Sequence, residues 1–163
     1  MSTEYWGSSM LRRVRVLADY QFGKNTGEAL FPDSCRFITS RRGGVRQVML
    51  DGRRLATLRA HDGRLTLGLA GSERLSRIID PPGYRVVIMD DVSPYIAAGK
   101  SVFARHVLDA DPALQAGDEV LVVTGDGTLQ AVGSAVLSGR EMCRSGFGVA
   151  VQVRKGTNQE DSE

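Results

Sequence analysis

Aspartate–glycine punctuation constrains this chain more than any other feature. Short apolar and β-branched runs are separated by Asp51-Gly52, Asp62-Gly63, Gly117-Asp118 and Gly125-Asp126-Gly127. Such pairs supply the left-handed residues that a tight hairpin needs, so β-rich runs on either side of them read as paired strands. The outcome is a set of antiparallel meanders and a small barrel rather than a generic globular run. With 163 residues and a hydrophobic share of 42%, the chain has room for one medium domain or two small ones with folded cores.

Before the first turn the period is helical. Residues 10–22 put Leu11, Val14, Leu17 and Ala18 on one face, with Arg12, Arg13 and Arg15 mostly elsewhere. Gly23 fits a C-cap, and Lys24 complements the negative end of the helix. Residues 27–30 predict one more helical turn, stopped by Pro32. From Arg36 the period becomes extended. Phe37-Ile38-Thr39, the turn Arg41-Arg42-Gly43-Gly44, then residues 45–50, 55–59 and 65–69 form a meander of three or four antiparallel strands. The helix of residues 10–22 covers one face of it. Residues 71–79 predict a second helix, ended by Pro81-Pro82-Gly83, which completes an α+β layer pair.

The second half opens on the apolar strand of residues 84–89. Ser93 is the predicted N-cap of a short helix, Pro94 suits its first position and Gly99 closes it. Residues 102–107 predict a strand with Val102, Ala104 and His106 on one face and Phe103, Arg105 and Val107 on the other. Strands at 119–123 and 129–137 follow, then a helical turn capped by Ser138 around Glu141-Met142, and a last strand at 148–154. Several short strands with regular turn signals indicate a closed or nearly closed barrel. Residues 157–163 read as a polar, disordered tail.

Charge is divided unevenly. Residues 1–84 carry 14 Lys and Arg against 8 Asp and Glu, and residues 85–163 carry 7 against 11. A basic first half suits a polyanionic partner, although a solvated surface accounts for the charge alone more readily. No apolar run approaches the roughly 20 residues of a membrane span. Residues 1–20 lack a secretory pattern, so the cytoplasm is the expected compartment. Cys35 and Cys143 lack zinc-ligand spacing and read as buried or neutral thiols rather than a disulfide. Gly43-Gly44 joins hairpin strands and is no phosphate loop. His61 falls in a turn, and His106 reads as a structural residue within a strand. No nucleophile, base and orienter occur together, no metal site is expected, and no cofactor is implied.

Four phrases in the second half carry a resemblance: Gly99-Lys100-Ser101-Val102-Phe103-Ala104, residues 114–120, Ala131-Val132-Gly133 and Gly148-Val149-Ala150-Val151. In order and spacing they resemble the PUA domain, an RNA-binding module of tRNA- and rRNA-modifying proteins. In the first half, Asp19-Tyr20-Gln21-Phe22-Gly23, Arg46-Gln47-Val48, residues 62–67 and residues 71–75 are similar to the layer that precedes PUA in archaeal archaeosine tRNA-guanine transglycosylases. The resemblance implies an α+β chain, with a small helix-on-antiparallel-sheet domain over 1–83 and a PUA-like mixed β pseudobarrel over 84–156. That family's catalytic barrel, with its aspartates and zinc site, has no counterpart in these residues. The chain is therefore expected not to be an enzyme on its own.

What the resemblance implies is a tRNA-binding, non-catalytic subunit that works with a separate transglycosylase catalytic chain. An RNA-binding factor in ribosome assembly or translation is the alternative. The barrel would grip the acceptor stem, and the preceding domain would hold the opened D-arm. At Gly99 the RNA backbone can approach closely for want of a side chain. Lys100 and Arg105 would meet phosphates, Ser101 would hydrogen-bond to sugar or phosphate, and Phe103 lies in the same run. Arg154 and Lys155 would extend that surface. The Arg41-Arg42 tip either reaches the phosphate backbone or only keeps a turn soluble, and Phe22 either plugs the helix end, the commoner fate, or protrudes to stack on a base. Apolar surface suited to the catalytic chain, or to a second copy, is also expected.

Overall fold

The computed structural model describes the backbone of residues 3–159 and the side chains of residues 7–159. It divides into two units, Met1–Ile78 and Ile79–Glu163. In the N-terminal unit, helices α1 (Thr3–Phe22), α2 (Thr26–Leu30) and α3 (Leu69–Ile78) accompany strands β1 (Arg36–Thr39), β2 (Val45–Leu50), β3 (Arg53–Leu58) and β4 (Leu65–Leu67). The strands form one antiparallel sheet in sequence order. α1 starts at Thr3, earlier than the apolar spacing indicates, because Gly7, Ser8 and Ser9 interrupt the apolar period without ending the helix.

Each hairpin follows its turn chemistry. Asp51 and Gly52 adopt φ of 52° and 78°, the pair of left-handed residues that a two-residue loop between twisted strands requires. At the Arg41-Arg42 tip, Ser40 N–H donates to Gly44 C=O (2.8 Å) and Gly43 N–H donates to Ser40 C=O (2.9 Å). Phe37, Val48, Ala56 and Leu67 align across the sheet, and Val48, Ala56 and Leu67 of this row are fully buried. The adjacent row of Ile38, Gln47, Thr57 and Thr66 is more open. The free edge of β4 is occupied by Gln21, whose amide donates to Leu65 C=O and accepts from Leu65 N–H, both at 2.8 Å. Arg74 of α3 donates to the carbonyls of Ala29 and Leu30, which satisfies the end of α2.

The C-terminal unit contains β5 (Arg85–Ile88), α4 (Ser93–Ala97), β6 (Val102–Phe103), β7 (Val107–Ala110), β8 (Glu119–Val123), β9 (Leu129–Ala135), α5 (Gly139–Ser145) and β10 (Val149–Gly156). Its six-stranded sheet runs β6-β10-β9-β8-β5-β7, with β5 and β8 parallel and the other pairs antiparallel. The result is a nearly closed mixed pseudobarrel. Every residue of β8 is buried, as a central strand covered on both faces should be. Val86, Ile88, Ile96, Val102, Val120 and Val122 are at the heart of the core. Arg85, buried beside them, donates to the carbonyls of Ile79 and Gly83. α5 begins with a reciprocal capping box between Ser138 and Glu141.

Three sequence expectations need correction. The strand predicted over residues 102–107 is interrupted by a 3₁₀ turn at Ala104–His106, so His106 is not a strand residue. The turn carries the chain from β10, the partner of β6, to β5, the partner of β7, at the other end of the sheet. Ser93 is the first residue of α4 rather than its cap, and its hydroxyl donates to Asp90 C=O at 2.8 Å. Within the expected tail, Thr157 N–H donates to Gln130 C=O and Asn158 N–H to Ala97 C=O, so residues 157–159 are tied to the barrel. Residues 160–163 lie outside the described residues.

Candidate nucleic-acid interface

The turn after α4 organises the C-terminal candidate residues. Gly99 N–H donates to Ile96 C=O and Lys100 N–H to Tyr95 C=O, the paired bonds of a Schellman motif. This closure places Gly99 at φ 106°, where only glycine sits without strain. Lys100 projects from the turn into solvent. The Ser101 hydroxyl oxygen accepts from Val153 N–H (3.2 Å), which joins the turn to β10, and its own proton remains a donor.

Beyond the turn, Phe103 is half exposed and the Arg105 guanidinium lies 5.4 Å from its ring centre. His106 meets the same ring edge-on at 6.3 Å. Ala104 N–H donates to Gly148 C=O (2.8 Å), and Phe103 pairs with Val149 in the sheet. The loop before β10, with Phe147 83% exposed, therefore runs alongside Phe103. Tyr95, also exposed, flanks the same turn. Aromatic faces beside cationic groups stack on unpaired bases while holding the phosphates between them. Sequence reading missed Tyr95 and Phe147. Phe147 lies between two glycines in a loop, which was the available signal that no core position awaits it.

Not every expected residue is free to act. Arg154 is bound to Glu119 through two contacts, Nη2 to Oε2 at 2.6 Å and Nη1 to Oε1 at 3.1 Å. The Glu119 side chain is 6% exposed, so Arg154 serves first as its counter-ion. Lys155 is partly buried in β10. Gln159 lies over Gly99: a Cβ there would come within 2.5 Å of its side-chain nitrogen.

In the N-terminal unit, Phe22 is only 6% exposed. It continues the buried face of Val14 and Ala18 at four-residue intervals and plugs the helix end, so base stacking by Phe22 is corrected. Tyr20, two residues earlier on the opposite side, is 92% exposed. Arg41 and Arg42 are exposed at their hairpin tip and make no ion pair with a described residue. At the β3–β4 tip, Asp62 accepts from Arg64 N–H and from the Arg59 guanidinium, which together hold its carboxyl below the usual range. Among the described residues no group of three His, Cys, Asp or Glu is arranged to hold a metal ion, and no helix is long and apolar enough to cross a membrane.

Comparison with known proteins accounts for both units. Residues 12–82 match the patch-forming domain C2 of tRNA-guanine transglycosylase, and residues 84–157 match the PUA domain. The tRNA-guanine(15) transglycosylase of Pyrococcus abyssi is 46% identical over 90% of this chain, and that of Methanothermobacter thermautotrophicus is 44% identical over 90%. The matched region is 25% of the first relative and 22% of the second, so the chain spans about a quarter of their length. A conserved PUA-domain protein from Thermoplasma acidophilum shares the fold, with a TM-score of 0.65, 19% identity and coverage of 94% of this chain and 92% of that one. A hypothetical protein from Pyrococcus horikoshii has a TM-score of 0.73 at 21% identity, covering 93% and 92%. The chain is thus a PUA-domain protein whose two units are homologous, over nearly their whole length, to the C-terminal part of archaeal tRNA-guanine(15) transglycosylases.

Proposed function

We propose that this chain is a tRNA-binding, non-catalytic component of archaeosine formation that acts with a transglycosylase catalytic chain. The carrying observation is the match at 46% identity to one quarter of such an enzyme, through a C2 domain and a PUA domain. The catalytic chain exchanges guanine for a deazaguanine precursor in the D-arm. This chain holds the acceptor stem at the Gly99 turn and steadies the opened D-arm with its N-terminal unit. A base within folded tRNA must leave its stack before it can be exchanged, which costs a few kcal/mol in the comparable case of base flipping. Binding the opened form offsets part of that cost. Lys100, Arg105 and Phe103 act directly on RNA, whereas Arg154 acts through the strand it holds, and Lys155 extends the surface.

The test is reconstitution. The purified chain, the catalytic chain and both together are given tRNA and labelled guanine, and incorporation is followed. Incorporation by the pair well above either component supports the proposal. Exchange by this chain alone would make it an enzyme, and selective binding of ribosomal RNA with no effect on exchange would favour an assembly or translation factor.

A further inference from the structure

We propose that a trough around one end of the N-terminal sheet is a track for a single-stranded RNA segment, with Tyr20 as stacking platform and Arg13, Arg41, Arg42 and Arg46 as phosphate contacts. This rests on the RNA-binding reading above and names a further binding surface for it. Three grooves make up the trough. A small one of about 70 Å³ lies between α1 and the β1–β2 tip, and includes Arg13, Gly43, Gly44 and Val45. A second, of about 540 Å³, continues from Val45 past Arg46 and Arg59 to Gly63. The third, of about 530 Å³, runs from Gly63 and Arg64 to Leu17, Tyr20 and Gln21 of α1. Val45 belongs to the first two and Gly63 to the last two, so each groove adjoins the next at a shared residue.

Charge selects the occupant. Residues 1–78 contain 14 Lys and Arg but only 7 Asp and Glu. Arg15, Arg53 and Arg59 are engaged by Asp33, Glu73 and Asp62. Arg13, Arg41, Arg42 and Arg46 are exposed and make no ion pair with a described residue. Asp62, the carboxylate in the trough, is already neutralised by Arg59 at 2.7 Å. A polyanion therefore meets uncompensated positive charge. The exposed phenol ring of Tyr20 gives a base a flat face, but only a base outside a duplex can reach it. Grooves of several hundred Å³ also have the size of small-molecule sites, large enough for a nucleoside unit.

The experiment measures affinity of the full chain for a short labelled single-stranded RNA, the matching duplex and total tRNA across a salt series. Tyr20→Ala should weaken single-strand binding roughly tenfold and duplex binding little, while Tyr20→Phe keeps it, because the ring face is what binds. Arg13→Gln with Arg46→Gln should flatten the single-strand salt slope by about 1.4, at about 0.7 per contact. Both sets lie on the surface, and circular dichroism verifies their folding. If both sets bind within roughly twofold of the unmodified chain, while Lys100→Gln with Arg105→Gln loses binding, the trough is refuted and the RNA-binding reading stands. No RNA binding by the unmodified chain would refute both. Loss of co-elution with the catalytic chain, with RNA affinity intact, would make the trough a protein interface and overturn the proposal.

Discussion

Removing the Arg154 side chain separates a structural from a ligand role. Arg154→Ala leaves the Glu119 carboxylate, 6% exposed, without the two contacts at 2.6 and 3.1 Å that now meet it. Breaking a fully buried pair at one partner costs about 3–5 kcal/mol. Arg154 is 35% exposed, so water replaces part of the lost interaction, and a cost of about 2 kcal/mol is expected. With a urea dependence of about 2 kcal/mol per molar, the unfolding midpoint falls by about 1 M. The double variant Glu119→Leu with Arg154→Met removes both charges and should regain most of the loss, because an apolar pair of similar volume often replaces a buried ion pair with little penalty. Chemical unfolding followed by circular dichroism reads both. An Arg154→Ala protein that unfolds at the original midpoint yet loses RNA affinity would refute the reasoning and return Arg154 to the phosphate contacts.

Gly99→Ala should destabilise the C-terminal unit by about 1–2 kcal/mol, because φ of 106° is strained for any side chain, although the flexible Gln159 can move from the new Cβ; thermal unfolding checks it. Burial pushes the Cys35 thiol from 9.0 up to about 11, the thiolate being disfavoured in the fold. The native state therefore holds its proton longer than the unfolded chain. That contribution is complete below pH 9.0 and is lost as pH rises towards about 11, which unfolding of Cys35→Ser beside the unmodified chain will show. At neutral pH maleimide should label Cys143, which is exposed, faster than Cys35.

Local chemistry made much of the fold legible. Asp51-Gly52 announced its hairpin because both residues had to be left-handed, and Ser138 with Glu141 spelled out a capping box. Where distant partners decide, the sequence was mute. Val102 through Val107 has unbroken strand character, but its two ends pair with β10 and β5, so a turn must interrupt it. Arg154 looks like a free cation until Glu119, 35 residues away, is seen beneath it. The tail to Gln159 is polar, yet the carbonyls of Ala97 and Gln130 hold its backbone. Phe22 was more legible, and of its two readings the commoner, a helix-end plug, is the one that the structure holds. Its spacing from Val14 and Ala18 already put it on the core face, and the same helical phase placed Tyr20 outside.

On the proposed reading, the two units attract RNA by different physical means. Residues 79–163 contain 7 basic and 12 acidic residues, so net charge opposes a polyanion there. The recognition proposed for the Gly99 turn then depends on close local fit: the exposed Lys100, one arginine held at the Phe103 ring, and the exposed Phe147 face, with Gln159 already filling the space over Gly99. Stacking releases no counterions, whereas each arginine–phosphate contact does. Phe103→Leu with Phe147→Leu should accordingly lower tRNA affinity by a similar factor at every salt concentration, on the order of tenfold for lost stacking. Arginine variants of the N-terminal unit should instead change the slope of affinity against salt. Binding isotherms at several salt concentrations separate the two behaviours. A changed slope in the phenylalanine pair would show that these rings position charge rather than bind bases.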